Sequence, residues 1–129
     1  MKAIILSALM LSFTVFVGCK KNDADTIELS GRTMIKVEGA SKGLMGDSIR
    51  LQVSWPYSSG CDVFENFTTD KAGAHYTIKG WGYMHNQICT QDAGVKKKEY
   101  VFYTAIAGSY LLTFINPDGT TIEHSLSIE

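Results

Sequence analysis

Apolar side chains fall at every second position over Asp47–Trp55 (DSIRLQVSW), with Ile49, Leu51, Val53 and Trp55 on one face and Arg50, Gln52 and Ser54 on the other. A period of two predicts a β-strand with one buried face and one wet face. Pro56 is expected to end it, because proline has no N–H to give a ladder. The period returns over Thr121–Ile128, where Ile122, Leu126 and Ile128 are in phase and His124 lies in register at the edge of the core. Glu99–Ala105 and Ser109–Ile115 are rich in aromatic and β-branched residues and predict two more strands. Weaker patterns predict strands at Thr33–Glu38, Cys61–Phe67, His75–Tyr83 and Gln87–Thr90, with Cys61, Val63 and Phe67 sharing a side. Asn116-Pro117-Asp118-Gly119 has the residue order that a type I turn favours, so the last two strands should form a hairpin. No segment after residue 20 holds a helical period.

Strands this short, separated by turn residues every ~8–12 positions, point to a single all-β domain over 32–129, a β-sandwich of seven or eight antiparallel strands. The stretch YVFYTAIAGSYLLTF, residues 100–114, resembles the closing strands of immunoglobulin-like domains, where a glycine-containing turn leads through a tyrosine into a core strand. The resemblance implies an immunoglobulin-like sandwich with Tyr110 in the tyrosine-corner position. Leu112 stands where an immunoglobulin domain carries its second cysteine, so the usual inter-sheet disulfide is absent.

Ahead of this domain the pattern changes. Lys2 is followed by Ala3–Val17, a run with no charge and no polar face. As a helix it would span roughly 22 Å, short of the ~30 Å hydrocarbon core, which suits the apolar centre of a signal peptide. Phe16-Val17-Gly18-Cys19 resembles the lipobox of bacterial lipoproteins, with small Gly18 before the cut. The resemblance implies a signal peptide over 1–18 and acyl chains such as palmitate on Cys19. It also implies a protein anchored by lipid in the bacterial cell envelope, at the outer membrane, facing the periplasm or the surface. One acyl chain holds a protein reversibly, and two or more hold it stably. Residues 19–31 then read as the lipidated cysteine and a flexible polar tether. Lys20–Asp25 also resembles the charged export signals of Bacteroidetes surface lipoproteins.

With Cys19 lipidated, Cys61 and Cys89 are left, and outside the cytoplasm a disulfide between them is expected. Closing a loop of about 29 residues stabilises a fold by roughly 3.5 kcal/mol in the chain-entropy model. The formal net charge is −1, or −2 once Lys2 is removed with the leader (eleven basic against thirteen acidic side chains), which gives no attraction for nucleic acid. Lys96-Lys97-Lys98 reads as a solvated loop guarding the strand after it.

The sequence holds no GxSxG elbow, no phosphate loop and no metal-ligand spacing, so neither an enzyme nor a cofactor nor a metal site is expected. His75 and His85 are expected in solvent, and His124 as a hydrogen-bonded structural histidine. KGWGYMHN, Lys79–Asn86, alternates Trp81 and Tyr83 with Gly80 and Gly82. A domain of about 100 residues needs its large aromatics inside, so Trp81 is expected in the core with the glycines marking a bulge. In the other reading Trp81 and Tyr83 project together and contact a ligand. The function expected is a non-catalytic binding or structural module with an envelope protein or glycan as partner. Two alternatives are an inhibitor of an envelope hydrolase or peptidase, presenting the Ser58–Asp62 loop, and a carbohydrate-binding accessory protein using Trp81 and Tyr83.

Overall fold

The computed structural model describes residues 27–129 together with Gly18. The apolar run, Cys19 and the first part of the tether lie outside the described residues. All elements of the described chain are strands: β1 (Ser30–Arg32), β2 (Lys36–Glu38), β3 (Lys42–Gly43), β4 (Ser48–Tyr57), β5 (Asp62–Ala72), β6 (His75–Met84), β7 (Gly94–Tyr103), β8 (Gly108–Ile115) and β9 (Thr121–Ile128). Among the described residues no helix is long and apolar enough to cross a membrane.

The strands make two sheets packed face to face. The smaller has the order β2-β4-β7, and the larger runs β3-β9-β8-β6 with β5 on the far edge of β6. β8 lies parallel to the first half of β6, and β1 pairs antiparallel with Gly80–Gly82 beyond it. β3 also runs parallel to β9. Among the described residues there are thus nine strands rather than seven or eight, and two of the pairings are parallel rather than antiparallel. The larger sheet begins at Ser30, so it takes in two residues expected in the tether.

The core fills the space between the sheets. Leu51, Val53 and Phe102 of the small sheet meet Ile78, Leu112 and Phe114 of the large one, all buried. Met34 is buried where the chain crosses from β1 in one sheet to β2 in the other. Its N–H donates to Asn116 Oδ1 (2.8 Å) and its carbonyl accepts from Asn116 Nδ2 (2.9 Å). The predicted hairpin is present, with Gly119 N donating to the Asn116 carbonyl at 2.9 Å and Gly119 at φ 88°. The Tyr110 hydroxyl donates to the Ile106 carbonyl at 2.6 Å.

Several strands run further than their sequences suggest. β4 continues through Pro56, which sits opposite Val95. Ser54 accepts a hydrogen bond from Ile35 N, so the backbone groups of Ser54 and, two residues on, Pro56 face the β2 side. β2 has ended by then, and proline's missing N–H leaves no bond unmade. The longer β4 in turn gives Lys96, Lys97 and Lys98 partners in Trp55, Ser54 and Val53, so the lysines belong to β7 rather than to a loop. Lys96 lies 4.3 Å from the centre of the Tyr57 ring, and Lys97 reaches Glu38 at 3.4 Å. Gln87–Thr90 is not a strand; Cys89 is bonded to Cys61, and the Thr90 carbonyl accepts from Gly60 N at 3.0 Å.

Candidate binding face on β6

The alternation in β6 sorts its side chains cleanly. Tyr76, Ile78, Gly80 and Gly82 face the core, and Thr77, Lys79, Trp81 and Tyr83 face out. The two glycines make room inside. A Cβ on Gly80 would strike the Phe64 ring, and one on Gly82 would strike the Val63 carbonyl and the Arg32 side chain. Trp81 is therefore half-buried on the outer face and not in the core as expected.

A bulge is present, but it lies on the neighbouring strand and not at the glycines. Phe64 pairs with Gly82 and Asn66 with Trp81, which leaves Glu65 as the extra residue of β5. The bulge reverses the phase of β5. Phe64 points inward before it, Phe67 and Thr69 point inward after it, and Val63 does not share their side. The reversal also brings Thr68 to the outer face, where its Oγ1 accepts a hydrogen bond from Trp81 Nε1 at 2.8 Å. Sequence reasoning did not find Thr68, because a single inserted residue leaves no mark on a polar stretch.

Trp81 and Tyr83 share a face but open into different grooves. Trp81 lines one of about 430 Å³ with Gly31, Lys79, Ile115 and Pro117. Tyr83 lines one of about 660 Å³ with Ile27, Glu28, Met84 and His85. The Tyr83 and His85 rings meet edge to face at 5.0 Å. His75 shares a hydrogen bond with Thr113 Oγ1 (2.8 Å), and His124 Nε2 donates to the Ala40 carbonyl (2.9 Å).

Cys61 and Cys89 form a disulfide with their Cα atoms 5.3 Å apart. The Ser58–Asp62 loop turns inward from there. Ser58 N and Oγ both donate to Asp62 Oδ2, at 3.1 and 3.3 Å, and Cys61 and Asp62 are buried. Arg32 Nη1 lies 2.8 Å from Asp62 Oδ1, out of line for a hydrogen bond, and Arg32 Nε is buried without a partner. The outward side of this region is the loop carrying Cys89, where Ile88 is fully exposed. A hydrogen bond from Thr90 holds the exposed Asp92 carboxyl below its ordinary pKa. Among the described residues no group of three or more His, Cys, Asp or Glu side chains is placed to hold a metal ion.

Comparison with protein-family models, with curated proteins and with solved structures gives no match.

Proposed function

We propose that this chain is a lipid-anchored lipoprotein of the bacterial cell envelope whose β domain is a non-catalytic binding module. The anchor reading rests on the leader, its basic start, its apolar run and the Gly18-Cys19 end. Binding rests on one observation, the outward Trp81 with its indole N–H fixed by Thr68. A held aromatic ring beside a shallow groove offers a flat apolar surface at little ordering cost. Lys79 at the same groove supplies a charged donor. The partners this chemistry suits are a glycan, whose pyranose ring stacks on the indole, or an envelope protein. Nucleic acid is not among them, since the net charge is slightly negative. The immunoglobulin-like reading of the fold draws support from the Tyr110 back-bond, while the parallel neighbours β6 and β8 depart from that plan.

Two experiments test this reading. Cys19→Ser should move the protein from the membrane fraction to the soluble one and remove the acyl mass from the intact protein. Tryptophan fluorescence titrated with soluble envelope glycans should respond in the native protein and not in Trp81→Ala. A membrane-bound Cys19→Ser protein would refute the anchor. A Trp81→Ala protein that still retains its envelope partners would refute the binding face.

A further inference from the structure

We propose that the end of the domain from which the chain leads back to Cys19 is a membrane seat, an apolar surface that enters the interface of the bilayer holding the lipid. The proposal rests on the lipoprotein reading and adds an orientation to it. Ile27 is 56% exposed, Met84 56% and Ile88 106%, and Leu29 is exposed beside them. Three segments bring these residues together. Ile27 and Leu29 lead into β1, whose first residue pairs with Gly82. Met84 closes β6 opposite Asp62. Ile88 sits next to Cys89, which is bonded to Cys61, the neighbour of Asp62. Ile27, Tyr83 and Met84 line one groove.

The loop carrying Ile88 is held before any contact is made. His85 N donates to the Cys61 carbonyl (2.9 Å), Gly60 N donates to the Thr90 carbonyl (3.0 Å), and the disulfide lies between them. A fully exposed isoleucine on a braced loop loses little conformational freedom when it is buried. Tyr83 has an apolar body and a polar tip, the form suited to a headgroup layer.

The length of the chain identifies the occupant. Eight peptide steps separate Ile27 from Cys19, and fully extended they reach at most about 29 Å. A lipid on residue 19 therefore holds Ile27 within about 29 Å of its bilayer, so this end of the domain can reach the surface. The other end, where Leu44, Met45 and Ile106 are exposed, lies about 30 Å away along β6. Glu28 in the groove and Asp23 and Asp25 in the tether outnumber Lys20 and Lys21, so the seat suits zwitterionic rather than anionic headgroups.

The two ends supply their own control, because Met84 and Met45 are almost equally exposed, at 56% and 55%. The full lipidated protein, reconstituted on phosphatidylcholine vesicles, is footprinted with hydroxyl radicals and read by mass spectrometry. Met84 should react at least about threefold more slowly relative to Met45 than it does in soluble Cys19→Ser, as expected where a bilayer excludes water from a side chain. Ile27→Ser combined with Ile88→Ser should lose that protection while the protein still floats with the vesicles. Protein that floats while Met84 and Met45 react alike would overturn the seat and leave the anchor standing. Protein that carries no lipid and does not float would overturn both. Protection of Met84 in Cys19→Ser without vesicles would assign the surface to a second copy of the chain and also overturn the seat.

Discussion

One added methyl group tests the inner side of β6. On Gly80 the new Cβ meets the Phe64 ring, which can tilt aside. On Gly82 it meets the Val63 carbonyl, which belongs to a paired backbone. Gly82→Ala should therefore lower stability by roughly 3 kcal/mol, the upper range for overpacking, and by more than Gly80→Ala. Urea unfolding of the two variants measures the difference. Tyr100 offers a second test at this scale. Burial pushes its hydroxyl pKa up, against a hydrogen bond with Thr69 that lowers it. The folded state thus favours the neutral phenol. That contribution to stability is complete below the unfolded-state pKa of about 10 and is lost as pH rises through the higher folded value. Alkaline titration of phenolate absorbance should show a late component among the six tyrosines, and Tyr100→Phe should remove it.

Asn116 does the work of a strand partner, satisfying both backbone groups of Met34 where the chain crosses between sheets. Asn116→Ala leaves a buried N–H and a buried carbonyl unpaired, and unfolding measurements should show a loss of about 2–4 kcal/mol. The sequence marks Asn116 as the first residue of a turn and carries no sign of this second role, because Met34 is distant along the chain. The same division holds for whole elements. β4, β8, β9 and their hairpin are legible because alternation and turn chemistry are local. The course of β4 past Pro56 is not, since it depends on where β2 stops. The lysines of β7 read as a loop because their strand character comes from β4 opposite them. At the candidate site the alternation of KGWGYM was legible, but which face would be buried was not, since the pattern does not say that Phe64 and Arg32 need the space above the glycines. The cysteine pair was legible by count alone. It closes a separation of 28 residues, so reducing it should lower stability by about 3–3.5 kcal/mol, seen as a lower urea midpoint in dithiothreitol.

At the scale of the whole molecule, the chain enters its larger sheet through β1, a strand of three residues at the same end as the exposed Tyr83 groove. On the proposed reading, an anchored domain that grips something distant is pulled at that point. Tension arrives at Ser30 and peels β1 from β6 one pair at a time, releasing about 10 Å of slack. The peeling then meets Arg32, whose guanidinium lies against the buried Asp62 carboxylate. Single-molecule stretching from residue 19 should record a short yield of that length before the main rupture, and Arg32→Met should let the yield run on into the core at Met34. Three weak pairs followed by one buried charge pair form a shock absorber, which gives way a little under small loads and then holds.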